Sequence, residues 1–173
     1  MGVVTIWFVT TPIFHMSRKL NLFALSSNFE EMSAEIMNYI VDWIKDINNS
    51  EPIFNIEGKR IELILRDLPH HQVYYSQRAV EANSVLSWLR NIKAKREAIV
   101  LKNYLNTPRA LSVKEQTVLS QGEPQIVEIN QLIVEVEFRK NSLEEIVEAI
   151  KQLAWSMNYV TRMRVAEMED AVI

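Results

Sequence analysis

Two long stretches of this sequence contain neither glycine nor proline: one lies between Pro69 and Pro108, the other runs from Gln125 onward. Tight turns draw on the positive φ of Gly and the fixed φ of Pro. A chain that lacks both over such distances tends to continue one element, and only a helix is commonly that long. Glycine is scarce throughout, at Gly2, Gly58 and Gly122 alone. That scarcity argues against β-sandwiches and nucleotide-binding folds, which place Gly at turns and phosphate loops.

The apolar residues inside the two stretches keep helical time. Ala82, Val85, Leu86, Leu89, Ile92, Ile99 and Leu101 sketch a stripe along the first. A helix of that length points to a hairpin arm or coiled coil. In the second, Ile126 to Phe138 fits two patterns. Ile129, Leu132, Ile133 and Val136 suit a helix, whereas Val134 to Phe138 alternates like a strand; helix is the favoured reading. Ser142 with Glu145 has the spacing of a capping box and predicts that a new helix begins there. Beyond it, Leu143, Ile146, Ile150, Leu153, Met157 and Val160 follow steps of three, four and seven. This near-heptad predicts an oligomerisation seam.

The remaining punctuation divides the rest of the chain. Met32, Ile36, Tyr39, Ile40, Trp43, Ile44 and Ile47 mark one face of a helix over 28–47, which Asn48-Asn49-Ser50 breaks. Pro52 to Ile56 and Arg60 to Leu65, joined through Glu57-Gly58-Lys59, read as a small β-hairpin. Ile64 is the exception, because it falls on the polar side of the second strand. Asp67-Leu68-Pro69 resembles a helix entrance. Asn106-Thr107-Pro108 stops that helix, Ser112 and Glu115 form a capping box, and Gln121-Gly122-Glu123-Pro124 is a turn. The expected fold is mainly α, with long helices in a hairpin or bundle and a small N-terminal β-hairpin. The expected division is 1–68 (arm, helix and hairpin) and 69–173 (the long helices).

Met1 to Phe14 is strongly apolar, yet no basic segment precedes it and no small-residue cleavage site follows. It is too short for a membrane span and reads as a short strand or sticky arm. With 173 residues and 48% hydrophobic content, the chain can build a core. It has no cysteine, which excludes disulfides and thiolate metal sites and suggests a cytoplasmic protein.

Charge is unevenly spread. Arg90, Lys93, Lys95, Arg96, Lys102, Arg109 and Lys114 face the single acid Glu97 between positions 90 and 114, a local balance of +6 in a chain whose total is −3. Such a stripe can follow a line of phosphates, with Trp88 and Tyr104 as stacking surfaces for unpaired bases. The bland alternative is a solvated helix face with Trp88 in the core.

Other clusters carry less. His70 and His71 are adjacent, so on a helix they point about 100° apart and cannot easily share a metal. Glu135, Glu137, Glu144, Glu145 and Glu148 lack a partner histidine and read as a solvated face. No phosphate-binding loop exists, so catalysis and a cofactor are not expected. Met157, Met163 and Met168, with Trp155, suit an oligomer core or a protein-docking face.

Thr117-Val118-Leu119-Ser120, Ala149-Ile150-Lys151, Met163-Arg164 and Glu167 together resemble the UvsY family, the recombination mediators of T-even-type phages. Glu81-Ala82-Asn83-Ser84-Val85 and Trp88-Leu89, followed by a Lys- and Arg-rich helix, are similar too. The N-terminal arm and hairpin have no counterpart in that family, and the segment between Trp88 and Thr117 is shorter. The resemblance implies a helical, ring-like homo-oligomer that binds single-stranded DNA in the host cytoplasm. It would help a recombinase displace a single-strand-binding protein, without a cofactor or a membrane. A phage adaptor or scaffold-like helical oligomer is the rival expectation.

Overall fold

The computed structural model describes residues 29–105 and 112–166. Five helices succeed one another: α1 (Phe29–Asn48), α2 (Glu51–Phe54), α3 (Ile61–Leu105), α4 (Val113–Gln121) and α5 (Pro124–Val165). The N-terminal apolar arm, Arg109, the stop at 106–108, Glu167 and Met168 lie outside the described residues.

α3 and α5 form the expected hairpin. They run antiparallel, since the Tyr104 hydroxyl donates to Glu123 at one end (2.8 Å) and Arg90 meets Glu137 midway (3.0 Å). With 45 residues, α3 is about 68 Å long at 1.5 Å per residue. The turn between them holds α4. Its capping box is formed as the spacing predicts: Ser112 Oγ accepts from the Glu115 amide, and Glu115 accepts from the Ser112 amide. The Ser112 hydroxyl, which also donates to the Glu115 carboxylate (2.7 Å), and then the Ser112 amide hold that carboxyl below the usual carboxylate range. α4 ends at Gly122, whose N–H turns back to the Val118 and Leu119 carbonyls.

α1 lies along the hairpin because it has one stripe to bury. Met32, Ile36, Ile40 and Trp43 are all 3% exposed or less, packed with Ala82, Val85 and Leu89 of α3 and Val136, Leu143 and Ile150 of α5. A polar clamp fixes its angle. Asp46 accepts from Arg78 Nε (2.6 Å) and from the Tyr74 hydroxyl (2.7 Å), while its carbonyl accepts from Tyr75 (2.9 Å). Glu81 accepts from Arg78 and from Trp43 Nε1 (3.1 Å). Since Trp43 meets Glu81 and Asp46 meets residues 74–78, α1 runs antiparallel to α3.

Three expectations need correction. The β-hairpin over 52–65 is absent, and no strand occurs among the described residues. Ile61, Ile64 and Leu68 are buried together at helical spacing, so Ile64, the misfit of the alternating pattern, belongs to the first buried turns of α3. Gly58 does make a turn, at φ 69°, but it joins two helices. The helix entrance at 67–69 also fails: α3 begins eight residues before Pro69, which sits inside it on an exposed position. There the ring denies Leu65 its carbonyl partner, at a cost a buried stripe on both sides can offset.

No helix restarts at Ser142. α5 is continuous, and the Ser142 hydroxyl donates back to the Phe138 carbonyl (3.1 Å) within the helix. The division at 68/69 falls within α3, and a single core reaches from Met32 to Met157. The helical reading of 126–138 is right: Ile126, Ile129, Leu132 and Val136 form its buried stripe.

Candidate nucleic-acid interface

The expected basic stripe does not form one face. Seven residues advance a helix by about two turns, so Lys95 and Lys102 share a side of α3. Both are exposed, as is Lys114 on the first turn of α4, which packs against α3. None of these three makes an ion pair among the described residues. Lys93 and Arg96 follow Leu89 by four and seven positions, so they continue the inner stripe and are half-buried. Lys93 is also matched by Glu97 at 3.6 Å. Arg90 is exposed but engaged with Glu137 of α5. Among the described residues of the set, Lys95, Lys102 and Lys114 are thus the exposed cations without an ion pair, while Arg90 meets a carboxylate of α5 and Lys93 one of α3 itself.

The two aromatic residues singled out beside the stripe are in use elsewhere. Trp88 is half-buried against the core. Tyr104 bonds Glu123, which raises the pKa of its hydroxyl. A better stacking surface lies far along α5. Trp155 is 72% and Tyr159 55% exposed, with ring centroids 5.9 Å apart and planes 12° from parallel. They are four residues apart, the step that brings helical side chains together. Arg162 shares that side of the helix, seven residues after Trp155, and is exposed.

Three of the five carboxylates are paired within α5. Glu135 pairs with Arg139 (2.6 Å), Glu144 with Lys140 (2.7 Å) and Glu148 with Lys151 (3.2 Å). Pairs this exposed contribute little stability, about 0–1 kcal/mol each, but they remove spare charge from the surface. His70 is exposed; His71 is half-buried, and burial lowers its pKa against the pull of Asp67. No group of three His, Asp or Glu side chains among the described residues is placed to hold a metal.

The near-heptad residues are spent inside the chain. Leu143 and Ile150 are fully buried, Met157 is 3% and Ile146 9% exposed, and Leu153 and Val160 pack against the same core. Heptad spacing states that a helix has a stripe to cover, not which chain covers it. The apolar surface that α5 leaves open lies on its other side: Val127, Val134 and Phe138 toward one end, Trp155 and Tyr159 toward the other. The sequence singled out Trp155 alone from this stripe, as part of an oligomer core or docking face, because Asn141, Glu145, Glu148 and Gln152 interrupt the rest.

Among the described residues no helix is long and apolar enough to cross a membrane. No protein-family model, curated protein or solved structure matches the chain.

Proposed function

We propose that this protein is a non-enzymatic, single-stranded-DNA-binding accessory factor of recombination. In this reading it helps a recombinase to replace a single-strand-binding protein. The observation that carries it is the exposed trio Lys95, Lys102 and Lys114 at the α4 end of the hairpin, free of carboxylate partners among the described residues. Cations that no acid has neutralised can exchange their counterions for phosphates, and that exchange drives salt-dependent binding. The exposed Trp155–Tyr159 pair supplies what a base-stacking surface needs. The likeness of 81–89, 117–120, 149–151 and 163–164 to the phage mediators supports the same reading.

One subunit offers few contacts, so useful affinity requires several subunits on one strand. Assembly then uses the outer side of α5, not the buried near-heptad. Neither a nucleotide nor a metal enters this mechanism. The test is a titration of a fluorescent single-stranded oligonucleotide, with duplex competitor and with light scattering on the same samples. Preferential binding of the single strand by an oligomer supports the proposal; an oligomer indifferent to DNA rejects it.

A second reading has its own observation. Val134 (66%), Phe138 (57%), Trp155 and Tyr159 leave two groups of large apolar side chains exposed on the outer side of α5, surface of the kind that a protein contact covers. Under that reading the chain is a structural component of an assembly, and the DNA-indifferent oligomer is its expected result.

A further inference from the structure

α5 buries one side and leaves the opposite side uncovered by any described residue. On the buried side Ile129, Val136, Leu143, Ile150 and Met157 recur every seven residues, and none is more than 3% exposed. The bundle thus holds α5 to a seven-residue repeat, and the outer side keeps the same repeat. From Gln131 to Arg162 it advances in alternating steps of three and four, with every member exposed. That is the spacing of a coiled-coil seam. Its apolar members form two groups, Val134 with Phe138 and Trp155 with Tyr159. Polar Asn141, Glu145, Glu148 and Gln152 lie between them.

One copy cannot bring its two groups together, because Phe138 and Trp155 stand ~25 Å apart along the helix. A second copy laid antiparallel can. With a two-fold axis between positions 146 and 147, every seam residue meets a seam residue of the other copy. Phe138 falls on Trp155 and Val134 on Tyr159, and symmetry repeats both contacts. Charge selects this direction. One flank of the seam carries Glu137, Glu144 and Lys151; the other carries Ser142, Ala149 and Ser156. Antiparallel helices set like flanks together, so Glu144 of each copy meets Lys151 of the other. Both are exposed, in surface pairs that can be exchanged. A parallel pair would set the charged flank against Ser and Ala, with no opposite charges to match.

We infer that two copies of this chain pair through the outer side of α5 as an isologous, antiparallel dimer. The inference rests on the assembly proposed above and not on DNA binding. It assigns Trp155 and Tyr159 to the contact instead of to bases. The central layers set Glu145 against Glu148, a like-charge contact that weakens the pairing. Lys95 and Lys102 lie beside the first turns of α5, since Arg90 meets Glu137 and Tyr104 meets Glu123. The dimer therefore carries its two lysine groups at opposite ends, roughly 50 Å apart.

The chain has no cysteine, so single cysteines on the exposed seam report the register. Asn141→Cys and Gln152→Cys, each in the full-length protein, fall in one layer across the axis. Each alone stands ~16 Å from its own copy, too far for a disulfide. Mild oxidation of the mixed proteins should give the mixed disulfide, and oxidation of either alone should give none. Light scattering should show a dimer that Phe138→Asp abolishes at unchanged helix content and that Glu145→Gln/Glu148→Gln tightens. Efficient disulfide formation by either protein alone means a parallel pair and overturns the inference. An oligomer that gives no mixed disulfide overturns it too, while leaving the proposed assembly standing. A monomer at every concentration overturns both.

Discussion

Arg78 reaches from the middle of α3 to Asp46 and Glu81 while only 8% of it meets solvent. Burial alone would lower its pKa, but the charge of Glu81 and the bond to Asp46 outweigh that and raise it. Removing one partner of such a cluster strands the others. Arg78→Ala should therefore cost about 3–5 kcal/mol, read as a lower urea midpoint with an unchanged slope; a loss below about 1 kcal/mol would show that water reaches the clamp. The tyrosines beside it report on pH. Burial, then the nearby Asp46 charge, push Tyr75 up to about 12 from its ordinary 10.0, and Tyr74 is raised as well. A pKa raised by folding contributes stability that is complete below pH 10.0 and is lost as pH climbs through about 12. On alkaline titration the tyrosinate band of these two should appear late and together with loss of helix. Tyr75→Phe should shift that transition, and a band developing near pH 10 while the helices persist would contradict their burial. None of this cluster was legible in the sequence. Asp46 and Arg78 are far apart in the chain, and neither residue shows by its type that it will be buried.

Helices were legible wherever a stripe was long. α1, the body of α3 and the ambiguous segment over 126–138 all follow from steps of three and four, and the Ser112–Glu115 cap from its spacing. Signals resting on two or three residues did less well. A β-branched run before Pro69 suggested strands, because alternation over five positions cannot outweigh what Ile61, Ile64 and Leu68 gain by joining the core. Ser142 and Glu145 matched a cap, but the i, i+3 pattern of Leu143, Ile146 and Ile150 continues the stripe already set by Val136. This difference can be measured. If Ser142 lies inside α5, Ser142→Ala trades a mid-helix serine for the best helix former and should be neutral or stabilising by a few tenths up to about 0.5 kcal/mol. Were it an N-cap, the same change would cost about 1 kcal/mol. The near-heptad was correctly located, but its partner is α3 and α1 of the same chain, a choice that pattern alone does not make.

On the scale of the whole molecule, a three-helix core occupies one part of the hairpin, and open cations lie toward the α4 end. The run from Arg90 to Lys114 was visible as a charge excess. What the sequence hid was the three-dimensional sorting of those charges. Helical rotation takes Lys93 and Arg96 inward, and the antiparallel return of α5 sets Glu137 against Arg90. The account therefore expects unequal roles within the stripe. Lys95, Lys102 and Lys114 should carry most of any attraction for a phosphate chain, and neutralising Lys93 should mainly free Glu97. The most direct test is the salt dependence of single-stranded oligonucleotide binding, followed by fluorescence anisotropy for the native chain and for Lys95→Gln/Lys102→Gln/Lys114→Gln. Each phosphate contact contributes a slope of about −0.7 in log affinity against log salt for a single strand. The account predicts a steep negative slope for the native chain that flattens by about 2 per subunit engaged in the triple variant. A slope near zero, or one that the three substitutions leave unchanged, would contradict it.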